Sequence, residues 1–476
     1  MRKLFLYLVL MGLLFSGCSS SNNDYHNIYG FWGKEINDGT GSQKFVVYFR
    51  GMDNNIECQF HSYSNGIKFS SEIGSDIEFD GESLSFIANK NANVRYEGKL
   101  DTINQVITGK LIYANGSGRE FDLKRISLDE LSQNYPGLFG LTKGSNSIEQ
   151  PEEINDGLKT KALGESKLDP VVLQTMVDSI NNGEFGKVHS VLIAEDGKLV
   201  FEKYFDGFSI NDLNSLQSCT KSIGSILIGE AIDKGFIKNV NQKVIDFFPD
   251  YKNKVDVKWN DVELKNLLTM STGIDWERSV HDRIYNTSED VIKSTFEQKF
   301  SHRPGELFEY RNPQTDLLSG IIINTTKQSV QDFAKEYLFD PLKITQFSWN
   351  NFKKTNYPLM SGSLALSARE MLKIGQLVLD NGKWDGKQIV SQKWIEQSTS
   401  FKINSGQMFG YGYLWWLVES QTKPGLKVII ATGISGQHIV IVPQIKLAVV
   451  TTADNMDKEP EFLLRMIDLY IIKSVK

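Results

Sequence analysis

Leu216-Gln217-Ser218-Cys219-Thr220-Lys221-Ser222 runs directly into Ile223-Gly224-Ser225-Ile226-Leu227-Ile228, which sets a serine and a lysine three residues apart at the start of an apolar helix. Residues i and i+3 share a helix face, so the lysine amine can reach the serine hydroxyl. A serine hydroxyl is a poor nucleophile at its free pKa, and a desolvated lysine beside it is one of the few ways to activate it without histidine. Spacing alone discriminates little, because Ser420-Gln421-Thr422-Lys423 repeats it. That second copy runs into Pro424-Gly425 and cannot open a helix.

The chain around this motif has 476 residues, enough for two or three domains at roughly 100 to 200 residues each. With 40% hydrophobic and 23% charged residues it has the composition of an ordinary globular protein. A net charge of -6 and the lack of any Lys/Arg cluster exclude a nucleic-acid partner.

Met1-Arg2-Lys3 is a charged start, Leu4 to Phe15 is apolar, and Ser16-Gly17 are small residues before Cys18. An apolar run of about a dozen residues is too short to cross a bilayer core of roughly 30 Å, so residues 1–17 read as a secretion signal. Leu14-Phe15-Ser16-Gly17-Cys18 resembles the lipobox of bacterial lipoproteins, which implies lipidation of Cys18. The polar residues 18–24 then form a tether, and the expected location is the bacterial cell envelope, lipid-anchored at the periplasmic side or the cell surface. Beyond Cys18 only Cys58 and Cys219 remain, so no disulfide framework is expected and Cys219 reads as a small apolar helix residue.

Residues 25–126 are strand-like. Lys44-Phe45-Val46-Val47-Tyr48-Phe49, Ile67-Lys68-Phe69, Ser83-Leu84-Ser85-Phe86-Ile87, Val94-Arg95-Tyr96-Glu97-Gly98, Val106-Ile107-Thr108-Gly109 and Phe121-Asp122-Leu123 are short alternating runs broken by Asn, Asp and Gly. They predict an antiparallel sheet closed as a small all-β barrel or sandwich, with a structural or binding accessory role. Gly30-Phe31-Trp32-Gly33 loosely resembles the opening of lipocalin-like barrels. Residues 127–167 are polar and broken by Pro136-Gly137, Pro151 and Asp156-Gly157, and read as a linker.

From 168 to 476 the character changes. Pro170 to Val177 has helical periodicity, and Ser190-Val191-Leu192-Ile193-Ala194 and Lys198-Leu199-Val200-Phe201 flank the hairpin signal Glu195-Asp196-Gly197. After a helical middle, strands return at Val428-Ile429-Ile430, His438 to Val442 and Leu447 to Val450. The pattern predicts one α+β domain whose antiparallel sheet joins its N- and C-terminal parts.

An ordered series of segments then resembles the serine β-lactamase and penicillin-binding-protein superfamily. They are Ser190 to Ile193 with Asp196 to Val200; Ser218 to Lys221; Leu267-Leu268-Thr269-Met270-Ser271-Thr272-Gly273; Pro304-Gly305-Glu306 with Phe308-Glu309-Tyr310-Arg311-Asn312; Leu338-Phe339-Asp340-Pro341-Leu342; Ser367-Ala368-Arg369-Glu370-Met371; and Thr432-Gly433-Ile434-Ser435-Gly436-Gln437. The nearest branch is that of class C β-lactamase-related hydrolases, with its esterases, D-amino-acid peptidases and 6-aminohexanoate-dimer hydrolases. The resemblance implies a β-lactamase/transpeptidase-like fold and a serine hydrolase in which an amide or ester acylates Ser218 and water releases the acyl group. It makes Lys221 the activating partner, Tyr310 a second base and Asn312 a substrate-orienting residue. Cations or dipoles near Tyr310 would favour its phenolate. Backbone N–H groups of Ile434 and Ser218 would hold the oxyanion.

Where lactamases carry Lys-Thr-Gly, this chain has Ala431-Thr432-Gly433, which lacks the cation that holds a substrate carboxylate. Efficient β-lactamase activity is therefore not expected. Trp276 and Tyr413, drawn from an aromatic-rich region, are expected in the pocket wall, where a mostly apolar lining favours a neutral amide, ester or short peptide. No Gly-x-Ser-x-Gly elbow supports a histidine triad, His438 falls in a strand pattern, and no metal spacing or cofactor motif occurs. The alternatives are a catalytically silent binding or sensing protein on the same fold, a β-lactamase or D-amino-acid peptidase, or a function seated in the N-terminal barrel through glycan or lipid.

Overall fold

The computed structural model describes residues 27–28, 30–37, 42–52, 55–64, 67–89, 93–127, 130, 148–275, 287–406, 409–455, 458–459 and 461–476. Cys18 and Trp276 lie outside these. Contacts divide the chain into two compact units, Met1–Asn134 and Tyr135–Lys476.

The first unit is an antiparallel sheet of nine strands: Gly30–Asn37, Ser42–Met52, Asn55–Ser64, Ile67–Phe79, Ser83–Asn89, Val94–Asp101, Val106–Ile112, Gly118–Glu120 and Leu123–Ile126. Sequential hairpins build most of it. The last strand then bends it round: Leu123–Ile126 pairs with the first strand, Gly30–Asn37, on one side and with Val106–Ile112 on the other. The sheet is a nearly closed barrel. Trp32, Phe49, Phe86, Tyr96 and Phe121 fill it, with Phe86 packed against Phe49 and Tyr96 at ring distances of 5.6 and 5.1 Å. Phe121-Asp122, expected in a strand, instead sit between two strands, where the Asp122 carboxylate accepts the Gly109 N–H at 3.1 Å.

The second unit is centred on another sheet, in which Val188–Glu195 and Lys198–Tyr204 lie beside the three C-terminal strands Leu447–Ala453, Gln437–Val442 and Lys427–Gly433. Leu192 faces Val450 and Ile193 faces Val449 across the junction of the two chain ends. Alternation along Val188–Glu195 feeds two cores, as a pleated strand buried on both faces must. Val191 and Ile193 pack with helix α1 (Pro170–Asn181) and the C-terminal Leu463, Ile467 and Ile471. Leu192 and Ala194 join the larger core, built from α2 (Cys219–Asp233), α3 (Asn312–Thr326) and α4 (Ala368–Leu379).

Helix α2 is mostly apolar and buried from Cys219 to Ala231, with Ile223, Ile226, Leu227 and Ile228 at 0% exposure. Gly229 lets Trp394 lie against the helix, since a Cβ there would stand 2.2 Å from the indole. Such a helix is held rigidly from all directions, so its first turn is a fixed platform.

The expected linker is shorter than its composition suggests. Residues 148–167 are folded into the second unit: Leu158 is 3% exposed, and Lys159–Thr160 pairs in parallel with Lys198–Tyr204. The polarity that reads as linker is used inside. Arg369 of α4 reaches Asp156 at 3.1 Å, Glu202 at 2.6 Å and the Glu152 carbonyl at 2.7 Å. A buried charge needs partners of this kind. Among the described residues no helix is long and apolar enough to cross a membrane.

Candidate active site

Gln217, with φ at 50°, turns the backbone sharply before α2. Ser218 is the N-cap of the helix, yet its hydroxyl makes no capping bond. The hydroxyl is left for Lys221, one turn on, whose Nζ donates to Ser218 Oγ at 2.7 Å. Nζ also donates to the Ser361 carbonyl at 2.7 Å. Lys221 is 1% exposed, and this burial pushes its pKa down to about 7 even though Asp316 favours the charged form. Near neutrality a large fraction of the amine is therefore unprotonated and able to accept a proton.

Tyr310, just before α3, completes the cluster. Its hydroxyl is in hydrogen-bond contact with the Ser218 side chain, and Lys221 Nζ lies 4.9 Å from its ring centroid. Its ring stacks on Trp416 at 5.6 Å and remains 38% exposed to the cavity. Desolvation at the hydroxyl nonetheless raises the phenol well above its usual range, outweighing the hydrogen bond from Ser218. The expected phenolate is thus not what this environment favours. The lysine sits over the ring face, and the neutral phenol is a donor that can pass a proton on.

The edge of the site is the end of the strand Lys427–Gly433. A Cβ on Gly433 would stand 2.4 Å from the Leu216 carbonyl and 3.1 Å from the Ser218 nitrogen, so only glycine lets the strand approach this closely. Beyond it, Ile434 opens a short helical turn. The N–H groups of Ser218 and Ile434 both stand at helical starts, where intrahelical acceptors are lacking. Neither donates to a backbone carbonyl among the described residues.

The Beta-lactamase family model matches residues 188–467, more than half of the chain. The chain belongs to the beta-lactamase family. A relative, Protein flp of Staphylococcus aureus (strain MW2), is 29% identical over 202 residues, covering 39% of this chain and 39% of its own length. The 6-aminohexanoate-dimer hydrolase of Paenarthrobacter ureafaciens is 26% identical over 221 residues, covering 43% of this chain and 55% of that protein. The chain thus spans well under two thirds of the curated relatives it matches. Among solved structures, a class C beta-lactamase superposes with a TM-score of 0.51 at 15% identity, covering 64% of this chain and 96% of that one. This likeness shows the beta-lactamase fold.

Within that fold, Ser218, Tyr310, Thr432, Gly433 and Ile434 line one cavity of about 270 Å³, and Lys221 lies directly behind Ser218. Asn312 is the first residue of α3, two residues past Tyr310 and outside the cavity lining, and among the described residues its buried Oδ1 has no hydrogen-bond partner. An unsatisfied acceptor beside the site suits an incoming N–H.

Two expected residues are elsewhere. Ala431 is fully buried and joins the core with Ile429, because the pleat turns it away from the face that Ile430 and Thr432 present to the cavity. Tyr413 is 7% exposed and stacks on Trp394 at 5.6 Å behind α2. It is a core residue and not pocket wall.

His438 makes no triad. Burial pushes it down to about 3, and its Nδ1 lies 3.0 Å from Thr432 Oγ1. Cys219 is fully buried, its thiol raised by desolvation, with Sγ donating to the Gln437 carbonyl at 3.2 Å. The cavity wall that sequence reasoning missed consists of Phe409, Trp416, Val418, Ile430, Glu461 and Leu464. Asp316 was also missed. Its Oδ1 accepts the Ser361 N–H at 2.8 Å and so fixes the segment whose carbonyl receives Lys221. A lone carboxylate in the apolar run Leu317-Leu318-Ser319-Gly320-Ile321 was the available signal.

Proposed function

We propose that this chain is an exported serine hydrolase that cleaves an amide or ester through an acyl-enzyme on Ser218. The observation that carries the reading is the desolvated Lys221 amine at 2.7 Å from Ser218 Oγ. Unprotonated Lys221 takes the Ser218 proton as Oγ attacks the carbonyl carbon. The Ser218 and Ile434 N–H groups receive the developing oxyanion. The leaving amine or alkoxide takes a proton through Tyr310 from Lys221, and water then attacks the ester carbonyl with proton transfers reversed. Asn312 Oδ1 orients the substrate N–H.

The Paenarthrobacter ureafaciens relative is a hydrolase of a 6-aminohexanoate dimer, which supports amide substrates. Efficient β-lactamase action is not expected, because among the described residues no Lys or Arg lines the cavity to pair with a carboxylate. The leader at residues 1–17 and Cys18 support export and lipid anchoring, and replacement of Cys18 is expected to release the protein from membranes. Hydrolysis of p-nitrophenyl esters, linear oligoamides and a chromogenic cephalosporin by wild type and Ser218→Ala tests the reading. Serine-dependent turnover of esters or amides, with the cephalosporin slowest, is the expected result; fast cephalosporin turnover or unchanged rates in Ser218→Ala would overturn it.

A further inference from the structure

The cavity beside Ser218 has apolar walls in Phe409, Trp416, Val418, Ile430 and Leu464. At about 270 Å³ it is just below the roughly 300 to 1,000 Å³ of most small-molecule sites, so it holds a short group. Among the described residues its lining contains one charge. Glu461 stands at the N-terminal end of the helix Phe462–Met466, half-buried, and its side chain makes no capping hydrogen bond. Among the described residues no cation pairs with this carboxylate, whereas a cationic ligand would.

The acyl group is the part of the substrate that stays bonded to Ser218 until water arrives, so it is the part the cavity must hold. A carboxylate in a partly desolvated apolar cavity attracts a cation, and repels a second carboxylate, far more strongly than it would in open solvent. We propose that Glu461 determines specificity by selecting short aliphatic acyl groups that end in an ammonium and rejecting those that end in a carboxylate. This rests on Ser218 being the acylated residue. It assigns the charge preference of the cavity to one side chain on the C-terminal helix, opposite in sign to a carboxylate-holding lysine.

The test uses the full chain and three p-nitrophenyl esters whose acyl chains have equal length and end in methyl, trimethylammonium or carboxylate. The readout is the ratio of kcat/KM for the cationic ester to that for the anionic one, which cancels any loss common to both. Wild type is expected to show a ratio of roughly tenfold or more, falling as ionic strength rises. Glu461→Gln is expected to bring it near one, and Glu461→Lys to invert it. An unchanged ratio in both variants, or a wild-type ratio indifferent to salt, overturns the proposal while the hydrolase reading stands. If Ser218→Ala cleaves all three esters as fast as wild type, the hydrolase reading falls and this inference falls with it.

Discussion

The chain contains two Ser-x-x-Lys tetrads, and only one of them builds a site. At Ser218 the backbone becomes helical from Cys219 onward, so the lysine returns to the serine and its amine donates to Oγ at 2.7 Å inside the core. At Ser420 the strand Trp416–Glu419 has just ended and Pro424-Gly425 prevents a helix. There the serine donates to Asp468 at 2.5 Å, the Lys423 backbone N–H donates to Ser420 Oγ at 3.0 Å, and the Lys423 amine goes to the Val475 carbonyl. Identical spacing brings the lysine amine onto the serine hydroxyl in one place and makes a loop staple in the other. The difference is helical geometry plus desolvation, neither of which the tetrad itself encodes.

Removing the amine is the most forceful way to break this contrast. Lys221→Met is expected to lower kcat/KM on an ester by roughly 10³-fold, while Lys423→Met leaves it within about twofold. Equal losses in steady-state assays would show that the geometry has been misread. Next in size, Gly433→Ala is expected to lose roughly 10²-fold, because its methyl overlaps the Leu216 carbonyl and displaces the strand from Ser218. A variant with wild-type kcat would mean that this close approach is unimportant.

The pH dependence sharpens the contrast without mutation. In the proposed mechanism the base is neutral Lys221, so kcat/KM should rise with pH and level off above about 7, falling tenfold per unit below that. The rate falls on the acid side because protonation fills the lone pair that must take the serine proton. Lys423→Met should leave this profile unmoved, and a limb near the ordinary lysine value would contradict the desolvation argument. The smallest effect belongs to the second tetrad. Ser420→Ala should destabilise the fold by about 2 kcal/mol in urea denaturation with activity retained, since it removes the hydrogen bond to Asp468 and the one from the Lys423 N–H, at about 1 kcal/mol each.

Much of the second unit was legible because its signals are local and ordered. The helix after Ser218, the hairpin at Asp196-Gly197 and the returning C-terminal strands each carry their own periodicity or turn chemistry. The first unit was legible as strands but not as a barrel. Alternation reads the same in an open or a closed sheet, and closure depends on Leu123–Ile126 pairing with both Gly30–Asn37 and Val106–Ile112.

In the site, Ser218, Lys221 and Tyr310 were readable as an ordered set, whereas facing was not. Ala431 points into the core because of the pleat, and Tyr413 does so beside Leu414, whose φ of 64° redirects the chain. Asp316, Ser361 and Glu461 reach the site from distant sequence, and their parts depend on which atoms the fold brings within about 3 Å.

The central claim is that Ser218, and not Ser420, is the acylated residue. Labelling of the intact protein with a fluorophosphonate probe tests it directly. Wild type and Ser420→Ala should label equally, and Ser218→Ala should not label. Undiminished labelling of Ser218→Ala, or an unlabelled wild type, would contradict the account.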